Sequence, residues 1–378
     1  MINPKILFKA LADNGINFYT GVPDSLLKFF CAFITDVADA EKHIIAANEG
    51  AATSLGIGYH LATNQVPLIY MQNSGLGNVV NPITSLADPQ VYSIPMILMI
   101  GWRGEPDHKD EPQHVKQGAI TLELLKVLDI PFEILDTKSN DIEAKKIIDL
   151  LATKAKNNNQ PVALIIKKNT FEKYELINKP IFDRTYTREE AIQQIIPEIP
   201  NNAILVATTG MLSRELFEYR SQRKEGHEKD FLTVGGMGHA SQIALGISLQ
   251  KKDNQVFCLD GDGSILMHMG SLAINGIVGK ANFHHIVINN NAHDSVGGQP
   301  TVAGDIDLQK IASGMRYSWC GLATSAEEIK KSLKIMQSIE GPTFLEIQVK
   351  TGNRKDLGRP TIKPEDNKYD FMRFLDEL

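Results

Sequence analysis

The amino-acid sequence predicts an α/β fold built on parallel sheets, in two domains of like topology. Three observations carry that reading. Apolar strand-like runs alternate with helical patterns along the whole chain, as βαβ units require. Residues 168–186 are polar, contain Pro180 and have no clear period, so a linker falls near the middle. The halves on either side share short matches at one offset. Leu55-Gly56-Ile57 and Asn64-Gln65-Val66 recur as Leu245-Gly246-Ile247 and Asn254-Gln255-Val256, each 190 residues later (245 − 55 = 190). Duplication of one α/β unit explains this, and it sets the domains at residues 1–178 and 179–378.

The elements follow in order. Residues 5–14 carry apolar side chains at 6, 7, 10 and 11 and stop at Gly15, as a helix with a glycine C-cap. Residues 16–20, 67–71, 94–100 and 161–167 read as strands. After the linker, Thr187-Arg188-Glu189-Glu190 is a capping box that opens a helix. Residues 203–207, 256–260 and 283–288 are the apolar strands of the second half. The charged tail from Gly352 ends in a short amphipathic helix. His284 and His285 are neighbours on a strand, so their side chains point to opposite faces and do not chelate one ion.

Composition narrows the class. The 378 residues are 43% hydrophobic and 22% charged, the balance of a globular protein with room for two domains. A formal net charge of −6 argues against nucleic acid as a partner. Cys31, Cys258 and Cys320 are odd in number and far apart, which fits a reducing, cytoplasmic setting rather than a disulfide framework or zinc site. Lys5, Lys9 and Asp13 interrupt any signal-peptide core, and the apolar run Val91–Trp102, broken by Pro95, is too short to span a bilayer. No membrane partner is expected.

The most informative stretch is Val256-Phe257-Cys258-Leu259-Asp260-Gly261-Asp262-Gly263-Ser264, a buried strand running into Gly-Asp-Gly. Such a turn lets a phosphate approach the backbone, yet Asp262 would repel it. A hard divalent cation between the two, Mg²⁺, resolves the conflict. A second oxygen ligand should follow the next strand. Asn289-Asn290-Asn291 stands there, 28 residues on (290 − 262 = 28), about one crossover. A dinucleotide fingerprint would need glycine at 266, which is Leu266.

Gly-Asp-Gly-Ser followed by Asn-Asn at this spacing resembles the diphosphate and metal motif of thiamine-diphosphate enzymes. The resemblance implies thiamine diphosphate and Mg²⁺ as cofactors. It implies Asp262, Asn290 and the Ala292 carbonyl as metal ligands, with Asn289 open as the register alternative because Asn291 stands where Gly is common. It places Gly261, Gly263, Ser264 and Asn290 at the diphosphate, joined by Thr209 and Gly210 of Thr208-Thr209-Gly210. Gly235-Gly236-Met237-Gly238 resembles the segment that bends the cofactor, with Met237 as the wedge between its rings. In the first half, Asn48-Glu49-Gly50-Ala51-Ala52 matches the family's pattern around its activating Glu, here Glu49. That carboxyl hydrogen-bonds the aminopyrimidine ring, and burial suits it by favouring the protonated donor form. Family members also share their site between subunits, which implies a homo-oligomer.

Many 2-oxoacid decarboxylases of this family insert a third domain, for which the linker leaves no room. Thr20-Gly21-Val22-Pro23-Asp24-Ser25, residues 109–114 and Asp294-Ser295-Val296-Gly297-Gly298-Gln299 make the chain similar to the phosphonopyruvate decarboxylases, with the sulfopyruvate decarboxylases as close kin. The resemblance implies decarboxylation of 3-phosphonopyruvate, an anionic 2-oxoacid, to phosphonoacetaldehyde in phosphonate biosynthesis. Asp24 and His114 match positions used for proton handling. A multiply anionic substrate needs cations and N–H donors. The candidates are Arg103 and Lys109 in the loop after the strand ending at Ile100, and Ser295, Gly297, Gly298 and Gln299.

Overall fold

The computed structural model describes residues 1–179 and 182–378. Pro180 and Ile181, within the expected linker, lie outside the described residues. The chain divides into two compact units, Met1–Lys179 with Val296–Gln299, and Pro180–Ser295 with Pro300–Leu378. The short segment Val296–Gln299 therefore groups with the first unit although it lies far along the second half, which no local pattern foretells.

The first unit holds strands β1 Tyr19–Gly21, β2 His43–Ile45, β3 Leu68–Gln72, β4 Met96–Gly101, β5 Phe132–Leu135 and β6 Pro161–Ile166. They form one sheet in the order β2-β1-β3-β4-β6-β5, every pair parallel. The second unit holds β7 Ile204–Ala207, β8 Asp230–Leu232, β9 Val256–Gly261, β10 Phe283–Asn289, β11 Trp319–Ala323 and β12 Thr343–Gln348. Their order is β11-β12-β10-β9-β7-β8, again all parallel. Read from the other edge and counted from the unit's first strand, this is the order of the first sheet. The 190-residue offset pairs equivalent elements. It carries helix Glu49–Thr63 and β3 onto helix Ala240–Gln250 and β9.

Parallel sheets are covered on both faces, which explains the near-continuous apolar strands. β4 and β6 are buried at every residue. Two core clusters flank each sheet, one on each face. Each fully buried Leu, Ile or Phe there contributes about 1.5–3 kcal/mol. The edge strand β8 is covered by the C-terminal helix Pro364–Glu377, whose Asn367 amide accepts from Leu232 N at 3.3 Å and donates to the Asp230 carbonyl at 2.9 Å. It occupies the position of a missing strand.

Element ends moved by one to three residues. The first helix is Pro4–Asp13, with Asn3 as its cap. The first strand is only Tyr19–Gly21, and the Thr187–Glu190 capping box is present. The linker expectation needs a larger correction. Residues 170–176 are part of the first unit: Phe171 bridges to Ile2 and is buried, and Tyr174 packs edge-on against Phe33. A single bridge leaves no period for a sequence pattern to display.

Candidate active site

Chemistry-bearing residues collect at the carboxyl ends of the strands in each unit, where open α/β sheets bind ligands. In the second unit, Thr208 follows β7, Asp262 follows β9 and Asn290 follows β10, and these strands are neighbours. The Ser264 hydroxyl meets Thr208 Oγ1 at 2.9 Å and accepts from Gly238 N at 3.0 Å. Three of the loops singled out in the sequence thus converge. Ser264 lies in the first turn of the helix Asp262–Met267, two residues inside its start. Thr208, within the expected Thr208-Thr209-Gly210 segment, makes the inter-loop bond, while Thr209 and Gly210 are half-buried. Gly210 has φ +96°, and the helix Met211–Gln222 starts directly after it. Met237 is half-buried between Gly236 and Gly238, whose φ values of +66° and +87° make the turn that presents it.

Asp262 is 4% exposed, and burial raises its carboxyl from 3.8 to about 6, offset in part by Thr301 Oγ1 and local N–H groups. A nearby cation would favour the ionised form of such a carboxyl. Asn290 Oδ1 accepts from Ala292 N at 3.1 Å, and Asn290 Nδ2 donates to Asp294. Asn289 is occupied in the same manner: its amide donates to the buried Glu346 at 2.8 Å and accepts from Asn291 N. Asn291 has φ +57°, a left-handed conformation that glycine or asparagine adopts at small cost, so Asn serves where Gly is common. Its buried amide has neither a donor nor an acceptor partner among the described residues. The donor set is oxygen-rich, suiting a hard cation.

His284 and His285 do face opposite ways. His284 bonds Thr343 and Gln255; His285 sits between Tyr317 at 3.1 Å and Asp260 at 3.3 Å. Cys258, Asp260 and His285 offer ligand atoms within 4.8 Å of one another, but both His285 nitrogens are engaged in hydrogen bonds.

In the first unit Glu49 begins the helix Glu49–Thr63, capped by the Asn48 side chain on Ala51 N, and is 5% exposed. Asn78 Nδ2 donates to Glu49 Oε2 at 2.7 Å. Asp24 follows β1 and is fully buried. Burial raises its pKa, against the N–H groups of Leu26 and Leu27 and the charge of Arg103. His114 is buried on the helix Pro112–Val127.

Arg103 is not a free cation. Its Nε and Nη2 fork onto Asp110, with Nε at 2.9 Å, and Nη1 donates to Ser25 Oγ at 2.9 Å. Burial works to raise the Asp110 carboxyl, but the fork and the N–H groups of Gly104 and Glu111 hold it well below the usual range. Lys109 is exposed. Ser295 is exposed and Gln299 fully buried, with Gly297 and Gly298 at φ +134° and +77° between them. Sequence reasoning missed Asn78 and gave no role to Asp110 and Asp294. Asp110 and Asp294 each begin or lie within a motif segment, and that was the one available signal.

Comparison with known proteins identifies the family. The C-terminal thiamine-pyrophosphate-binding domain model matches residues 208–347, and the N-terminal one matches residues 4–124. A phosphonopyruvate decarboxylase of Streptomyces viridochromogenes is 29% identical over 99% of this chain and 95% of its own length. A sulfopyruvate decarboxylase of Methanosarcina acetivorans is 24% identical over 100% of this chain and 98% of its own. A sulfopyruvate decarboxylase beta subunit of Methanocaldococcus jannaschii is 37% identical over 50% of this chain and 96% of its own. The chain belongs to the thiamine-diphosphate-dependent decarboxylases, in the family that holds these phosphonopyruvate and sulfopyruvate enzymes. No helix among the described residues is long and apolar enough to cross a membrane.

Proposed function

We propose that the chain decarboxylates 3-phosphonopyruvate to phosphonoacetaldehyde and CO₂, as a step in 2-aminoethylphosphonate biosynthesis. One observation carries this reading. A chain similar over nearly its whole length to a phosphonopyruvate decarboxylase has a buried Glu49 in one unit and the Asp262–Asn290 pair in the other. Thiamine diphosphate, when bound, supplies the thiazolium carbon that adds to the 2-oxo group and takes up the electron pair left by CO₂.

The protein's part is to bind, orient and move protons. Asp262, Asn290 Oδ1 and the Ala292 carbonyl would hold Mg²⁺ against the diphosphate. Gly261, Gly263, Ser264, Thr209 and Gly210 would surround its oxygens. Asn289 is the last residue of β10 and fully buried, whereas Asn290 follows the strand, which favours Asn290 as the ligand. Met237 would set the bend. Glu49, with Oε2 taken by Asn78, keeps Oε1 for the aminopyrimidine. Asp24, whose burial favours the protonated form, would give a proton once CO₂ has left, with His114 as its companion. For the phosphonate, Lys109 and the N–H groups around Gly297 and Gly298 are preferred to Arg103, whose charge Asp110 already takes. The site would be shared between copies, in a homo-oligomer of the reducing cytoplasm.

The 37% identity of the beta subunit favours a second reading, sulfopyruvate as substrate. Release of CO₂ from phosphonopyruvate, sulfopyruvate and pyruvate, measured side by side with Mg²⁺ and cofactor, decides between them. The highest kcat/KM on phosphonopyruvate supports the first reading; a preference for sulfopyruvate installs the second.

A further inference from the structure

Asn290 has a carboxylate behind it. Its Nδ2 donates to Asp294 Oδ2 at 2.5 Å, and the same oxygen accepts from Gly352 N at 2.9 Å. Arg188 Nη1 reaches it at 3.3 Å. Arg188 is itself fixed: Nε and Nη2 fork onto Glu215 at 2.7 and 2.9 Å, and the side chains of Arg188 and Glu215 are 8% and 2% exposed. Arg188 is the first residue of the helix that Thr187 and Glu190 cap, so its backbone is anchored as well. The chain Glu215–Arg188–Asp294–Asn290 lies wholly within the second unit.

An amide can turn over, exchanging its oxygen and nitrogen. An ionised carboxylate only accepts, so it selects the orientation with Nδ2 toward itself and Oδ1 away. We infer that Asp294, held by Arg188, is a positioning residue that locks the Asn290 amide with its oxygen toward the metal. The inference rests on the reading of Asn290 as a ligand. Turned over, Asn290 would present N–H groups to a cation. Partners behind metal ligands typically change metal affinity tenfold to a hundredfold.

The test uses the full-length protein with saturating thiamine diphosphate and Mn²⁺ as the probe, free Mn²⁺ being read by electron paramagnetic resonance. Asp294→Asn keeps shape but can donate, so it removes the carboxylate's half of the lock and leaves only the Ala292 N–H on Oδ1. Mn²⁺ affinity should fall about tenfold or more, while the melting temperature of metal-free protein stays near wild type. Adding Asn290→Asp to Asp294→Asn should restore affinity, because a carboxylate presents oxygen whichever way it turns. Should Asp294→Asn fail to fold, Asp294→Ser carries the same measurement. Wild-type affinity in the Asp294 variant, beside weakened affinity in Asn290→Ala, overturns the lock. Wild-type affinity in Asn290→Ala overturns the ligand assignment and the lock with it.

Discussion

The hydrogen bond from Asn78 Nδ2 to Glu49 Oε2, 2.7 Å long, fixes one oxygen of a buried carboxyl at the start of a helix. Gly75 completes the arrangement, since a Cβ there would overlap Glu49 Oε1. The pair gives the first prediction. Glu49→Gln should still bind cofactor but exchange the thiazolium proton slowly, with kcat down by roughly 10²–10⁴. Gly75→Ala, whose φ of an ordinary helical kind tolerates alanine, should mimic it by displacing the carboxyl. Hydrogen–deuterium exchange at the thiazolium carbon reads both, and wild-type exchange in Glu49→Gln removes Glu49 from the mechanism.

Asp262→Ala should abolish activity and cofactor binding while the fold survives. The substitution removes the charged ligand from a dication bound to diphosphate. Calorimetric titration of thiamine diphosphate with Mg²⁺ checks this. Undiminished binding would mean that Gly261-Asp262-Gly263 does not hold the metal.

Asp24 should give a pH signature. Its folded pKa is raised by burial, so the charged form costs stability in the folded protein. That cost is absent below the unfolded pKa near 3.8 and grows as pH rises toward the folded value. Asp24→Asn removes it. The variant should melt higher than wild type at neutral pH and lose that advantage in acid, while kcat falls by roughly a hundredfold. Thermal melts from pH 4 to 8 decide; an advantage that does not vary with pH would disconnect it from the Asp24 charge.

Phosphonopyruvate should be preferred over pyruvate by more than about tenfold, because each N–H or cation that pyruvate leaves unpaired costs about 1–3 kcal/mol. Lys109→Ala should narrow that ratio. Arg103→Ala should instead lower stability by about 1–3 kcal/mol, since it leaves the half-buried Asp110 carboxylate without its fork. If the Arg103 variant narrows the ratio at unchanged stability, the arginine holds substrate after all.

A site shared between copies predicts complementation. Inactive Glu49→Gln mixed with inactive Asp262→Ala should regain partial activity, because some mixed sites hold neither lesion. Full activity in a demonstrated monomer would sink this idea.

Much of the site was legible because its chemistry sits in short windows. A carboxylate between two glycines after a strand, amides after the next strand, and Glu49 after β2 are all local patterns, and the repeat pointed to two domains of like topology, which the structure shows as two sheets of one strand order. What the tertiary structure alone decided is who holds each group. Asn78 reaches Glu49 across 29 residues, Arg188 reaches Glu215 across 27 and Asp294 across 106. Phe171 joins the first unit through a bridge to Ile2 and a ring stack on Phe30. None of these has a period or a spacing to read. A side chain's usefulness to a ligand depends on its own chemistry, which sequence displays. Its orientation depends on partners brought together by packing, and packing is settled only when the whole sheet has formed.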